Sequence, residues 1–264
     1  LNEVIKDPKE VDIRFGFCFP DVYEVGMSHL GSRILYHVLN QRKDTYCERV
    51  YAPWPDMEKL MRENNIPLYA LETKDPINEF NFLAFTLQYE MSYTNILNML
   101  NMGGIPLRAS ERTEKDPLVI AGGPCAYNPE PLYDIVDIFQ LGEGEEGLND
   151  LLDLYQKHKD NFNKEAYLRE ASHIPSVYIP SLYDVTYNED GTIKEFIPKY
   201  DDVPKKVKKR IINNFDQVDF PESLIVPYSE IVHDRVVLEL FRGCTRGCRF
   251  CQAGMIYRPI REKS

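Results

Sequence analysis

The sequence of 264 residues lacks long apolar runs, a surplus of basic charge and any disulfide-type cysteine pattern. No run approaches the roughly eighteen apolar residues of a membrane-spanning helix, and no secretory h-region is present. Three scattered cysteines, Cys18, Cys47 and Cys125, suit a reducing compartment and are expected to be small buried side chains. We therefore expect a soluble, cytoplasmic protein without a membrane partner.

The sequence is acidic, with a formal net charge of −11, which argues against a general nucleic-acid-binding surface. The charge is uneven, since residues 236–264 carry a net +4 and residues 1–235 carry −15. A second basic run, over residues 205–210, is typical of a solvated face, with contact to RNA or a partner as the alternative. Composition leaves the substrate and the oligomeric state open.

Residues 1–160 alternate strand-like and helix-like segments, which is typical of a parallel sheet. The predicted strands are 11–19, 47–51, 80–87, 118–121 and 135–141, and the predicted helices are 26–40, one beginning near 56, 92–102 and one ending near 158. Five βα units without internal repeats predict an α/β domain with a flavodoxin-like, doubly wound, five-stranded parallel sheet. Ligands of such sheets bind beyond the carboxyl ends of the strands.

The middle of the sequence, residues 161–235, contains six prolines, which are too many for long helices. Residues 183–187 and 192–197 flank a glycine-containing turn and predict a β-hairpin. We therefore divide the chain into a sheet domain over 1–160, a linker or small β subdomain over 161–235, and a third part over 236–264.

Three cysteines lie close together in this third part, as Cys244, Cys248 and Cys251 of a C-x3-C-x2-C run. Three adjacent thiolates cannot all pair as disulfides, but they can hold three corners of an iron–sulfur cluster. One iron would then lack a protein ligand, and an open coordination position is where chemistry can occur. A zinc site is the alternative, but it needs four ligands, and beyond the three cysteines the nearest candidate is His233.

The cysteine run resembles the signature of radical S-adenosylmethionine (SAM) enzymes, including the aromatic Phe250 before the last cysteine. The resemblance implies a [4Fe–4S] cluster that binds SAM through its amino and carboxylate groups and cleaves it to a 5′-deoxyadenosyl radical. It also implies that Phe250 lies near the SAM adenine. Residues 236–240 would be the first strand of a radical SAM barrel that is truncated after its cysteine loop, and we expect this piece alone to be inactive.

Polar residues and glycines follow three of the predicted strands: Asp21, Tyr23 and Gly26 after the first, Thr86 after the third, and Gly122 and Gly123 after the fourth. This arrangement resembles cobalamin-binding domains, whose first loop reads D-x-H-x-x-G. In that family the histidine ligates cobalt and the other elements house the nucleotide tail. Because Tyr23 occupies the histidine position, cobalamin ligated by histidine is not expected, although cobalamin itself remains a candidate cofactor.

Simpler structural roles compete with the cobalamin interpretation. Gly26 can open a helix, Gly122 and Gly123 can form a tight turn, and Asp21 can cap a helix. His29 and His37 are expected to be core or surface histidines. The motif over residues 142–146, Gly-Glu-Gly-Glu-Glu, also recurs in cobalamin-associated radical SAM proteins, and its acidic residues favour the positive end of a helix dipole.

These patterns together predict the N-terminal part of a radical SAM enzyme, with cobalamin-dependent methyl transfer as one role for the sheet domain. In a first alternative, the sheet domain binds no cobalamin and recognises substrate or a partner. In a second, the chain is a non-enzymatic metal-bearing module that contacts RNA through residues 205–210.

Overall fold

A computed structural model describes all residues, 1–264, and its centre is a six-stranded sheet of order β2-β1-β3-β4-β5-β6. The strands are β1 Ile13–Phe19, β2 Thr45–Tyr51, β3 Phe82–Thr86, β4 Leu118–Gly122, β5 Ile138–Gln140 and β6 Val177–Tyr178. The first five are parallel, and β6 pairs antiparallel with β5. The predicted flavodoxin-like α/β fold is confirmed. The prediction of five strands is corrected to six, since residues 177–178 add an edge strand.

Helices cover both faces of this sheet: α1 Tyr23–Gly26, α2 Leu30–Gln41, α3 Pro55–Glu63, α4 Tyr93–Met102, α5 Gly144–His158 and α6 Lys164–Ala171. Helices α2 and α6 both contact α5. Side chains of α3 and α4 bond to each other, as between Glu58 and Asn98 at 2.9 Å.

The inner strands β3 and β4 are apolar almost throughout because both faces of the sheet are covered. All five residues of β3 are buried. At its start, the ring of Phe82 packs between Phe15 of β1, at 6.0 Å between centroids, and Tyr155 of α5, at 4.9 Å. Tyr167 of α6 completes this aromatic cluster, and its hydroxyl donates to the carbonyl of Leu151 at 3.0 Å. The aromatic cluster therefore ties α5 and α6 to the sheet.

A buried ion cluster lies at the amino ends of β4 and β5. The Asp137 carboxylate accepts hydrogen bonds from the Arg112 guanidinium at 2.8 and 3.1 Å and from the Val119 amide at 2.9 Å. Lys164 of α6 forms an ion pair with its other oxygen at 2.9 Å. The side chains of Arg112 and Asp137 are 0% and 1% exposed, so both charges depend on each other for solvation.

The predicted hairpin is present as β7 Tyr183–Tyr187 and β8 Ile193–Pro198, which pair antiparallel. Beyond it, the chain returns to the carboxyl end of the large sheet, where Arg210 forms an isolated parallel bridge with Gly142. None of the helices is both long enough and apolar enough to cross a bilayer.

The last part of the chain differs from its prediction. Residues 236–240 form no strand; the strand is β9 Phe241–Arg242, which pairs antiparallel with β10 Arg261–Glu262. A short helix, α7 Ala253–Ile256, lies between them. Residues 236–240 have no strand to pair with, because their partner β10 is only two residues long. One further hydrogen bond, from the Lys263 amide to the Leu240 carbonyl at 2.9 Å, ends the pairing.

Candidate functional site

A cavity of about 450 Å3, which we call the main cavity, lies at the carboxyl ends of the central strands. Its floor comes from the last residues of β3 and β4, and its walls come from the first turns of α2 and α5. The positive ends of both helix dipoles therefore face the cavity. Its roof comes from the segment that carries the cysteine run, through Arg242, Gly243 and Tyr257. The cavity thus lies between the sheet and the cysteine loop.

Three of the predicted cobalamin-site residues line this cavity, namely Thr86, Gly122 and Gly123. Thr86 is paired with Gly122 across β3 and β4. Gly123 has φ +102°, and a Cβ atom there would lie 2.8 Å from the Leu87 carbonyl oxygen. Only glycine fits this conformation without strain, so the turn after β4 keeps the floor of the cavity open.

The other three predicted residues lie elsewhere. Asp21 lines a second cavity, of about 360 Å3, whereas Tyr23 and Gly26 line neither. The Asp21 carboxylate accepts a hydrogen bond from the Val22 amide at 2.7 Å, and no side chain caps α1. The capping role considered for Asp21 is therefore wrong. Gly26 is buried where a side chain would collide with the ring of Tyr51.

Tyr23 is part of a packing contact. Its ring meets the edge of the Tyr51 ring at 5.4 Å, and its hydroxyl oxygen accepts a hydrogen bond from the Tyr228 amide at 2.9 Å. Two further bonds, from the Val232 amide to the Glu24 carbonyl and from the His233 amide to the Ser28 hydroxyl, continue this contact. Residues 228–233 thus pack along α1 and the residues after it. In the cobalamin-binding resemblance, the position of Tyr23 on this helix is that of the cobalt-ligating histidine.

Replacing Tyr23 by phenylalanine removes one acceptor and keeps the ring. We expect the free energy of unfolding to fall by about 1 kcal/mol, because one hydrogen bond is lost. We also expect faster amide exchange at residue 228, while the β-sheet amides keep their rates. Urea unfolding and hydrogen–deuterium exchange measure both effects, and unchanged exchange at residue 228 would contradict the assignment.

His29, which was expected to be a core or surface histidine, lines both cavities. It is the N-cap of α2, where its Nδ1 accepts a hydrogen bond from the Ser32 amide at 3.1 Å. Its ring lies 5.5 Å from that of Phe19. Burial lowers the pKa of His29 from 6.5 to about 4, so the ring is neutral at pH 7.

This pKa gives a pH dependence of stability. Because the folded pKa of about 4 lies below the unfolded value of 6.5, the unfolded chain binds the extra proton first as the pH falls. The stability present above pH 6.5 is therefore lost progressively toward pH 4. His29→Asn keeps a capping side chain that does not titrate, and we expect a shallower fall. Urea unfolding across this range compares the two proteins, and equal slopes would contradict the prediction.

Several polar residues of the main cavity were not predicted. Gln140, at the carboxyl end of β5, is 3% exposed, and its Nε2 donates to the Ser176 hydroxyl at 2.7 Å. Its Oε1 is buried without a hydrogen-bond partner within the chain. The only feature of the sequence that could have indicated a site role for Gln140 is its position as a polar residue at the end of an apolar strand. Lys209 and Arg210 also line the cavity, although their run was interpreted as a solvated face.

The basic run is divided in the structure. Lys205, Lys206 and Lys208 are exposed, as expected for a solvated face. Lys209 instead donates from its ammonium group to the Ile256 carbonyl at 2.7 Å, and Arg210 pairs with the carboxylates of α5. The end of the run thus connects the sheet domain to the segment with the cysteines.

The three predicted cluster ligands lie on a loop between β9 and β10. Cys244 is partly exposed, whereas Cys248 and Cys251 are exposed, and all three are free thiols. They are not gathered into a set that could hold a metal ion. Phe250 is 93% exposed and lines neither the main cavity nor the second cavity. The loop therefore presents three free cysteines, the ligand type that suits an iron–sulfur cluster, although this structure does not bring them together.

The three remaining cysteines are buried in the sheet domain, as predicted. Burial raises the pKa of Cys18, Cys47 and Cys125 above the ordinary value for a thiol. They are therefore protonated at neutral pH and unsuited to ligate iron.

Comparison with known protein families gives one match. A family model described as radical SAM proteins, N-terminal, matches residues 31–180, which is more than half of the chain. The chain therefore belongs to the family of radical SAM N-terminal domains, and the resemblance to radical SAM proteins is confirmed.

Two individual proteins are similar to the chain. An uncharacterized protein of Methanocaldococcus jannaschii, MJ0966, is 26% identical over 246 residues, which are 92% of this chain and 41% of that protein. The chain thus spans less than half the length of this relative. The radical SAM methyltransferase TsrM of Kitasatospora setae, solved with tryptophan substrate and a SAM analogue, matches with a TM-score of 0.39 and 13% identity. That match covers 67% of this chain and 29% of TsrM, and its TM-score is too low to carry an argument.

Proposed function

We propose that the chain is the N-terminal part of a radical SAM enzyme in which Cys244, Cys248 and Cys251 hold a [4Fe–4S] cluster. The observation that carries the proposal is the donor set of three free, accessible thiols within residues 244–251, in a chain of the radical SAM N-terminal family. When bound, the cluster would supply the electron that cleaves SAM to a 5′-deoxyadenosyl radical. Residues 236–264 would then open the catalytic domain, with Phe250 available to the SAM adenine.

Zinc is the competing occupant of the cysteines. A structural zinc site needs a fourth ligand. The candidate named from the sequence, His233, is held by its backbone amide against Ser28 of the sheet domain at 3.0 Å. Its imidazole Nδ1 lies 3.3 Å from the Arg235 guanidinium. The structure does not bring His233 and the three cysteines together as a set that could hold a metal ion.

The test is SAM cleavage by the full-length protein after anaerobic reconstitution with iron and sulfide. With a strong reductant, we expect 5′-deoxyadenosine to form in proportion to reconstituted protein. Chromatography of the products measures it, and protein without iron is the control. Reconstituted, reduced protein that yields no 5′-deoxyadenosine would contradict the assignment to radical SAM chemistry.

The main cavity supports a second role for the sheet domain, the binding of cobalamin or another cofactor with an apolar body. Its floor of Thr86, Gly122 and Gly123 matches part of the cobalamin pattern. Gln140 also lines the cavity beside this floor. Because the Tyr23 hydroxyl already bonds the Tyr228 amide, cobalamin would bind without an axial ligand from Tyr23. Methyl transfer is the reaction that cobalamin would add.

Cobalamin retention separates this role from its alternative, recognition of a substrate or partner by the sheet domain. The full-length protein is incubated with hydroxocobalamin and passed over a desalting column, and the corrinoid spectrum of the eluted protein is recorded. Retention by wild type and loss in Gly123→Val, with the sheet still folded by circular dichroism, would support cobalamin. A wild-type protein that elutes without cobalt would leave recognition as the role of the cavity.

A further inference from the structure

The cysteine loop, residues 243–260, closes at a narrow neck formed by β9 and β10. Gly243 has φ +114°, and a Cβ atom there would lie 2.6 Å from the Pro259 carbonyl oxygen. The two ends of the loop therefore touch through their backbones. Strand pairing joins Arg242 to Arg261, one on each side of this neck.

Both neck arginines form ion pairs with one carboxylate of the sheet domain, that of Glu143, and only Arg261 also donates a hydrogen bond to it. Arg261 contacts one Glu143 oxygen at 2.6 Å, and Arg242 lies 3.6 Å from the other. The Ile212 amide also donates to Glu143, at 2.5 Å. The side chains of Glu143, Arg242 and Arg261 are only 14–15% exposed, so solvent screens these contacts less than it screens surface ion pairs.

Further contacts fix the arginines in place. Arg242 pairs with Glu145 at 2.6 Å and with Glu239 at 2.7 Å. The guanidinium groups of Arg242 and Arg261 lie 5.1 and 5.8 Å from the ring centroid of Phe215. Burial alone would raise the pKa of Glu143, but the hydrogen bonds from Arg261 and Ile212 hold it below its usual value. Glu143 is therefore an anion at neutral pH.

We infer that Glu143 is a positioning residue for the cluster ligands, because it holds both sides of the cysteine-loop neck against the sheet domain through Arg242 and Arg261. Arg242 is two residues before Cys244, so a shift of this arginine moves the first predicted ligand directly. The contacts of Glu143 stand by themselves, but a catalytic role for them rests on the proposed cluster. It also gives the Gly-Glu-Gly-Glu-Glu motif a role beyond the helix dipole.

The same residues connect the loop to the main cavity, since Glu143, Arg242, Gly243 and Arg261 all line it. A ligand that fills the cavity would therefore contact the residues that hold the neck.

The experiment compares Glu143→Gln with wild type by hydrogen–deuterium exchange of the full-length protein without a cluster. We expect exchange over residues 241–262 to speed up about tenfold, because charge-assisted hydrogen bonds are lost, while the sheet amides keep their rates. Glu146→Gln is the matched control: Glu146 belongs to the same motif but contacts Arg210, at 3.3 Å, and neither neck arginine. We expect it to leave residues 241–262 unchanged.

A second readout follows the cluster. In reconstituted Glu143→Gln, we expect the electron paramagnetic resonance (EPR) spectrum of the reduced, SAM-bound cluster to broaden, whereas Glu143→Asp restores the wild-type line shape. Exchange equal to wild type in Glu143→Gln would overturn the inference even if a cluster forms. If no cluster forms in wild type, the proposed function fails, while the exchange result still decides the role of Glu143.

Arg261→Gln covers the case in which Glu143→Gln does not fold, because it removes the same contact from the loop side. Faster exchange confined to residues 241–262 would support the inference. If both variants instead lose protection throughout the sheet, Glu143 stabilises the whole domain and the inference is wrong.

Discussion

Replacing Cys248 by alanine in the full-length protein is expected to abolish the cluster. Two thiolates remain, and they cannot hold the cluster that three would bind. After anaerobic reconstitution, we expect iron to fall from about four atoms per chain to a trace, and SAM cleavage to fall by at least about a hundredfold. Iron and sulfide assays and the visible spectrum measure the first effect, and 5′-deoxyadenosine formation measures the second.

Cys125→Ala is the matched control for this experiment, since Cys125 is a buried thiol of the sheet domain. We expect this variant to keep both its iron and its SAM cleavage. Cys244→Ala and Cys251→Ala should behave like Cys248→Ala. A Cys248→Ala protein with wild-type iron content would remove Cys248 from the ligand set.

Replacing Asp137 by alanine is expected to lower the free energy of unfolding by about 3–5 kcal/mol, because it leaves the buried Arg112 charge without its partner. The Val119 amide loses its acceptor as well, and Lys164 loses its carboxylate partner but keeps the carbonyls of Ala109 and Arg112. The site lies at the amino ends of β4 and β5, opposite the main cavity, so the variant tests the scaffold alone. Urea unfolding followed by circular dichroism gives the free energy.

Asp134→Ala is the control for the buried pair. Asp134 lies 3.9 Å from Arg108, and both side chains are at least half exposed. A surface pair of this kind contributes about 1 kcal/mol or less. If the two variants lost similar amounts of stability, the buried ion pair of Asp137 would contribute no more than a surface ion pair, which would contradict the prediction.

The fold was largely predictable because its determinants are local. The apolar run that contains β3 and the helical spacing of Leu30, Ile34 and Val38 in α2 follow from burial of a parallel sheet. Strand β6 was not predictable, because two residues, Val177 and Tyr178, form no recognisable pattern. It exists because the edge of β5 is free to pair with it.

The candidate site was predictable only where its signal is contiguous. The cysteine run is complete within residues 244–251, so its spacing alone indicates the chemistry. The contact of Glu143 with Arg261 joins residues 118 positions apart, and no local pattern reports it. The role of Tyr23 was hidden for the same reason, because its hydrogen-bond partner, Tyr228, lies 205 positions away.

The central claim is that the cysteine loop holds a [4Fe–4S] cluster. Metal analysis combined with EPR spectroscopy of the full-length protein tests this claim most directly. The protein is reconstituted anaerobically, assayed for iron, sulfide and zinc, reduced, and measured with and without SAM. We predict about four irons and four sulfides per chain and an EPR spectrum whose g-values shift when SAM is added, since SAM would occupy the open iron. One zinc per chain without iron or sulfide would contradict the account, and so would a cluster whose spectrum SAM leaves unchanged.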